Sequence, residues 1–122
     1  MDALVLQDWL TVQTGSEPSN ITQGAPGYLD VSDYQDLVFY LHVPTPIITG
    51  IPTFQYQTAP VAEESAFLTM YQTPASFTGG TRTDAILGSY SPIPPARYVR
   101  WVCAGNGYQC TFRILVAGYC LL

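Results

Sequence analysis

The chain contains no lysine, and its only strongly basic residues are four arginines: Arg82, Arg97, Arg100 and Arg113. Charged residues make up 11% of the 122 residues, against about 25% in typical soluble domains. The formal net charge is −5. Because binding to a phosphate backbone needs clustered Lys and Arg, this composition argues against a nucleic-acid-binding protein.

Scarce charge leaves the surface largely to Thr, Ser, Gln and Tyr. These side chains cost less to desolvate than charged ones, which suits a subunit that packs against neighbouring proteins. A bias of the source lineage against lysine explains the same composition equally well.

The sequence also lacks the features of membrane insertion and export. No stretch approaches the run of about 20 apolar residues that a membrane helix needs. The start, Met1-Asp2-Ala3, lacks the basic segment and apolar core of a signal peptide. We therefore expect a soluble protein that is not exported by the usual route and does not bind membranes.

Period-2 alternation is frequent, whereas no stretch of ten residues shows a convincing 3.6-residue period. Alternation and chain breakers predict about eight strands, at residues 4–12, 28–31, 37–43, 53–58, 66–72, 84–90, 97–102 and 109–119. Residues 62–70 could form a helical turn, although the alternation favours a strand. The pattern predicts one all-β domain over residues 1–122, an antiparallel two-sheet sandwich of jelly-roll or Greek-key type.

The last two predicted strands suggest a terminal β-hairpin over residues 97–119. Asn106-Gly107 is a typical tight-turn pair, because both residues accept a positive φ. Folding about this turn produces three notable pairs: Trp101 with Phe112, Cys103 with Cys110, and Arg100 with Arg113. One face of the hairpin is then apolar and the other mixed, as a sheet that covers a core requires.

The hairpin would bring Cys103 and Cys110 close enough to form a disulfide. Two buried reduced thiols are the favoured interpretation, because cysteine packs as a small hydrophobic residue. With Cys120, the three cysteines do not make a disulfide framework. His42 is the only histidine, so a zinc site with four ligands is not expected.

The predicted pairing of Arg100 with Arg113 needs compensation, because like charges opposite each other destabilise a ladder. A carboxylate on an adjacent strand or an aromatic face such as Tyr98 would provide it within the chain. An acidic group of a partner subunit would provide it at an interface. The internal explanation is the favoured one, since arginine also packs along sheet faces.

No residue pattern predicts a catalytic, cofactor or metal site. Asp30, Asp33 and Asp36 are spaced by three, but they match no EF-hand loop, and a turn with carboxylates accepting backbone N–H groups is favoured over calcium. His42 has no Ser or Cys motif beside it, and Glu63-Glu64 has no partner. We expect no enzyme and no cofactor.

Two groups of residues are singled out by their position in the predicted strands. The expected core contains Trp101, Phe112, Ile114, Phe39 and Leu41. The expected interface or ligand patch contains Tyr40, His42, Tyr98, Arg100 and Arg113. The Pro- and Gly-rich loops at residues 14–27 and 73–83 are further candidates for contacts with neighbours.

Five stretches of the sequence carry a resemblance to a known class of protein. They are RYVRW at 97–101, the Gly-Asn-Gly turn, TFRILVAGY at 111–119, YLDVS at 28–32 and DLVFYL at 36–41. Together they resemble small β-sandwich accessory virion proteins of tailed bacteriophages, of the capsid-decoration or head-and-tail fitting type. The resemblance implies a non-enzymatic virion component that binds capsid or tail proteins at symmetric positions. We also expect a homo-oligomer. No binding motif is defined well enough to transfer residue roles.

The alternative is a ligand-binding module, either a carbohydrate-binding or an adhesion sandwich. Exposed aromatic side chains on a concave face, with a few polar partners, would favour it. An enzyme is a distant third hypothesis, because no nucleophile–base pair or metal constellation is present.

Overall fold

The period-2 segments of the sequence form two antiparallel sheets that pack face to face. The computed structural model describes residues 1–15, 17, 19–47 and 50–120. Nine strands occur among them: β1 Asp2–Gln13, β2 Ser19–Thr22, β3 Leu29–Asp30, β4 Asp36–Val43, β5 Thr53–Ala59, β6 Leu68–Gln72, β7 Gly80–Ile86, β8 Tyr98–Gly105 and β9 Gln109–Tyr119. The predicted all-β sandwich is confirmed.

The strands are divided between the sheets in a regular order. Sheet A contains β1, β9, β4 and β7 in that spatial order, and sheet B contains β2, β8, β5 and β6. The short β3 pairs with β8 beyond the end of β2, so β2 and β3 act as one interrupted strand. Counted this way, the order is that of a jelly roll, one of the two connectivities that the sequence left open.

The predicted terminal hairpin is wrong. β8 lies between β2 and β5 in sheet B, whereas β9 lies between β1 and β4 in sheet A. The turn itself exists, with Gly107 at φ +67°, but its backbone bonds to the loop after β1. The N–H of Gly107 donates to the carbonyl of Gly15 at 2.6 Å, and the N–H of Thr14 donates to the carbonyl of Tyr108 at 3.0 Å. The turn therefore carries the chain from one sheet to the other.

The residues predicted to pair across the hairpin have other ladder partners in the structure. Cys103 pairs with Phe54 and Cys110 with Val12. Arg100 lies opposite Gln57, and Arg113 lies opposite His42. The like-charge pair of arginines that was expected to need compensation therefore does not exist.

Trp101 and Phe112 do meet, but across the core. Their ring centroids are 5.0 Å apart with an interplanar angle of 84°. All five residues predicted to form the core are buried: Trp101, Phe112, Ile114, Phe39 and Leu41. Phe39 of sheet A also stacks on Tyr56 of sheet B, with centroids 4.1 Å apart. The core is thus a layer of apolar side chains contributed by the inner faces of both sheets.

Several predicted boundaries differ from the structure. β7 spans Gly80–Ile86 rather than 84–90, because its backbone pairs with the whole edge of β4 despite a weak local pattern. β2 lies inside the predicted loop at 14–27, of which residues 16 and 18 lie outside the described part of the chain. β6 begins at Leu68 rather than at residue 66, because Glu64–Ala66 form a turn of 3-10 helix. This turn lies within residues 62–70, for which a helical turn was the alternative prediction.

Candidate functional site

The outer face of sheet A is largely apolar. The ladder register sets its side chains in rows across the sheet: Ala3, Ala117, Val38 and Ala85 in the first row, and Val5, Leu115, Tyr40 and Thr83 in the second. An antiparallel sheet that covers a core with one face normally turns polar residues to water on the other. We call the surface formed by these eight residues the apolar face.

A row with one positive charge, that of Arg113, borders the apolar face, and we call it the cationic row. Arg113 and His42 are neighbours in the ladder, and Nε of Arg113 donates a hydrogen bond to Nδ1 of His42 at 2.8 Å. The guanidinium carbon of Arg113 lies 4.9 Å from the centroid of the Trp9 ring. His42 therefore has a hydrogen-bonded structural role in this row.

The apolar face carries a cavity of about 270 Å³. Side chains from both rows line it together with the chain terminus and the cationic row: Met1, Ala3, Tyr40, His42, Leu115 and Ala117. Three large hydrophobic side chains of β1 and its start are exposed: Met1 (75%), Val5 (57%) and Trp9 (49%). The face is thus apolar, open and shaped by small side chains beside large ones.

The outer face of sheet B is closed by its own side chains. Arg100 is only 6% exposed, because Phe67 lies on its guanidinium at 4.1 Å. Its Nε donates to Gln57 at 2.9 Å, and its Nη1 donates to the Tyr28 hydroxyl at 3.2 Å. The glutamines and threonine beside it share further hydrogen bonds: Gln55, Gln57, Thr69 and Gln72. This face is polar and internally satisfied, in contrast to the apolar face of sheet A.

The five residues predicted to form an interface or ligand patch do not lie together. Tyr40, His42 and Arg113 belong to the outer side of sheet A, whereas Tyr98 and Arg100 belong to β8 in sheet B. The prediction missed the small and aliphatic members of the apolar face. One signal could have found them: the run Ile-Leu-Val-Ala at 114–117 is apolar at every position, which is typical of a strand covered on both faces.

The carboxylates considered as calcium ligands do not converge. Oδ1 of Asp30 accepts the Ser32 N–H at 3.0 Å, a bond that lowers the pKa of Asp30, and Oδ2 accepts from Arg97 at 3.2 Å. Asp36 accepts the N–H of Gly88 at 2.8 Å. Within the described part of the chain, no group of three or more His, Cys, Asp or Glu side chains could hold a metal ion. The turn interpretation is confirmed for Asp30.

The three thiols differ in accessibility. Cys103 and Cys110 are buried and unbridged, whereas Cys120 is exposed. Burial raises the pKa of Cys103 to about 11 and that of Cys110 to about 12. Because the thiolate is the reactive form, neither buried cysteine is suited to nucleophilic chemistry.

We expect the thiol reagent DTNB, at about pH 8, to modify one thiol of the folded protein rapidly and all three after unfolding. The Cys120→Ser variant should lose the rapid phase and keep two slow thiols. Rapid modification of two thiols in the folded wild-type protein would contradict the burial of Cys103 and Cys110.

A second cavity, also of about 270 Å³, lies where β6 and β7 approach the segment after β7. Two tyrosines, a serine and aliphatic side chains are among the residues that line it: Tyr71, Tyr90, Ser91, Met70 and Leu87. Tyr90 is 84% exposed. Aromatic side chains beside a hydroxyl are compatible with a small polar ligand.

Comparison with known proteins adds no family to this geometry. Neither a protein-family model nor a curated protein matches the chain. In the ranges 1–15, 19–47 and 50–120 and at residue 17, no helix is long and apolar enough to cross a membrane.

Proposed function

We propose that this chain is a non-enzymatic assembly subunit that binds neighbouring protein subunits through its apolar face. The observation that carries the proposal is the contrast between the two outer faces: sheet B is closed by its own side chains, whereas sheet A leaves two apolar rows open. Contiguous exposed apolar patches of several hundred Å² mark sites of protein interaction.

The composition of the apolar face suits burial against protein. Interface centres are depleted in charged residues and enriched in aromatic ones, and the two rows contain no charged residue and include Tyr40. The nearest cation, Arg113, already donates to His42 and lies against Trp9. Desolvating this surface therefore leaves few polar groups without partners.

The biological setting we propose is a virion, with the chain as a capsid-decoration or head-and-tail accessory subunit. The sequence resemblance to accessory proteins of tailed bacteriophages supports this setting. Jelly rolls occur in viral capsid proteins and in lectins alike, so the fold is compatible with it but does not select it.

Photo-cross-linking tests the proposal. A photoreactive phenylalanine analogue at Tyr40 should cross-link to protein subunits when the chain is in its native assembly, because a covered side chain lies within van der Waals distance of its partner. Leu68, which is 59% exposed on β6 of sheet B, provides the matched control position. We expect clearly higher yields of protein adducts from position 40 than from position 68.

A carbohydrate-binding or adhesion module is the second candidate, and the cavity beside Tyr71 and Tyr90 favours it. Exposed tyrosine rings offer apolar surface with a hydroxyl for hydrogen bonding. Glycan binding that is lost in the Tyr90→Ala variant, together with no protein adduct from position 40, would replace the first proposal by the second.

A further inference from the structure

We propose that the partner of the apolar face is a second copy of this chain, packed face to face about a twofold axis. The inference rests on the proposed function and names the subunit that binds. Three features of the face carry it: the order of its rows, the position of its charges and the cavity between large and small side chains.

Four rows follow one another along β4 and β9. An acidic row, in which Asp36 pairs with Tyr119, precedes the two apolar rows. The first apolar row contains the small residues Val38 and Ala117, the second contains the larger Tyr40 and Leu115, and the cationic row follows. The face thus changes from acidic to small, then large, then cationic in one direction.

A twofold axis that lies between the two copies and perpendicular to the strands reverses this order while keeping β4 opposite β4. If the axis passes between the two apolar rows, the large row of each copy faces the small row of the other. Leu115 then points at Ala117 of the other copy, beside the cavity of about 270 Å³, and Val5 points at Ala3. Tyr40 faces Val38 of the other copy. Sheets packed face to face interdigitate in this way.

The same axis brings opposite charges together. Asp36 of each copy faces His42 of the other, whose Nδ1 accepts from Arg113, so the positive charge in that row is that of Arg113. Tyr119, which is 39% exposed, faces Arg113 of the other copy and can stack on its guanidinium. The chain therefore has a self-complementary surface, as a twofold interface requires.

The other in-plane twofold axis, parallel to the strands, is disfavoured by charge. It would keep each row opposite the same row of the second copy. Arg113 would then face the cationic row of the other copy, and Asp36 would face another acidic row. Like charges across an interface cost affinity. We therefore infer the axis perpendicular to the strands, which reverses the order of the rows.

The size of the face predicts a weak dimer. Four strands spaced by about 4.8 Å and four rows spaced by about 6.8 Å, the apolar face with the acidic and cationic rows beside it, give an area on the order of 500 Å² per copy. A standard interface buries about 800 Å² per partner. The dimer should therefore dissociate in the micromolar range and not behave as an obligate unit.

Sedimentation velocity between about 5 and 500 µM measures this association directly. We expect the wild-type protein to pass from monomer to dimer over this range. Leu115→Asp should raise the dissociation constant by about 100-fold or more, because it buries a carboxylate in the interface. Leu68→Asp makes the same substitution at an exposed position of sheet B and should leave the dissociation constant within about twofold.

A charge exchange between two variants tests the twofold axis itself. Asp36→Lys alone and His42→Glu alone should each weaken self-association by about tenfold or more, since the new lysine then meets the row of Arg113 and the new glutamate meets Asp36. An equimolar mixture of the two variants should form a heterodimer, because lysine at 36 then faces glutamate at 42 and Asp36 still faces the row of Arg113. Melting temperatures near the wild-type value would show that both variants are folded.

Three results would overturn the inference: wild-type protein that remains monomeric throughout the range, a dimer that survives Leu115→Asp, or a mixture that associates no better than its components. These failures differ from a failure of the proposed function. A monomeric chain that still cross-links from position 40 to another protein overturns the twofold dimer and keeps the assembly role. Absence of any protein adduct from position 40 overturns the assembly role.

Discussion

Replacing Trp101 with alanine is expected to lower the free energy of unfolding by about 3–5 kcal/mol. Trp101 is 2% exposed and packs edge-on against Phe112 of the opposite sheet. Its Nε1 donates to the side chain of Gln7 at 3.1 Å. The substitution therefore opens a cavity between the sheets and removes a hydrogen bond at its border.

Urea unfolding followed by circular dichroism measures this loss, with Trp9→Ala as the matched control. Trp9 is 49% exposed and lies over Arg113, so its removal should cost less than about 1 kcal/mol. Equal losses for the two tryptophans would contradict the placement of Trp101 in the core. The same result would also contradict the contact between β8 and β9 across the sandwich.

Gln23→Leu is expected to cost about 2–4 kcal/mol, because it leaves buried backbone groups without partners. Gln23 is 5% exposed. Its Nε2 donates to the carbonyls of Leu6 at 2.7 Å and Gly27 at 2.8 Å, and its Oε1 accepts the N–H of Trp101 at 3.3 Å. One side chain thus connects β1 of sheet A with β8 of sheet B.

Two further variants identify the origin of this loss. Gln72→Leu, at an exposed position of β6, should change stability by less than about 0.5 kcal/mol. Gln23→Glu would set a carboxyl group against two carbonyl oxygens, which favours its protonated form in the folded state. Its folded pKa would then exceed the unfolded value of about 4.3, so stability relative to the wild-type protein should fall as pH rises. A stability difference between Gln23→Glu and wild type that does not change with pH would contradict the hydrogen bonds described for Gln23.

The sequence predicted the inner faces of the strands well, because burial imposes a period of two wherever one face covers a core. In β4 the alternation identified Phe39 and Leu41 as core residues, and each is 0% exposed. The terminal hairpin failed for a related reason. Two consecutive strands turn their apolar faces inward whether they pair in one sheet or face each other across the core.

What decides between those arrangements is not local. β8 has partners on both sides, as does β9, so neither has an edge left for the other. The partner β2 comes from a polar segment whose composition is typical of a loop, and it contains no alternation of apolar residues. Gln23 follows it directly and shows no pattern that distinguishes a buried amide from a solvated one.

The candidate site was only partly predictable. Tyr40, His42 and Arg113 were singled out because polar and aromatic residues stand out on the mixed face of a strand. Ala117 and Leu115 did not stand out, because apolar residues usually indicate core. Only the strand order shows that they lie on the outside of sheet A, beside Val38.

Cross-linking from position 40, measured beside position 68 in the native assembly, tests the central claim most directly. Covering of the apolar face by protein predicts abundant protein adducts from position 40 and few from position 68. The adducts would contain a second copy of this chain if the twofold dimer is correct. Equal yields at the two positions, or adducts from position 68 alone, would contradict the assignment of the outer face of sheet A as the binding surface.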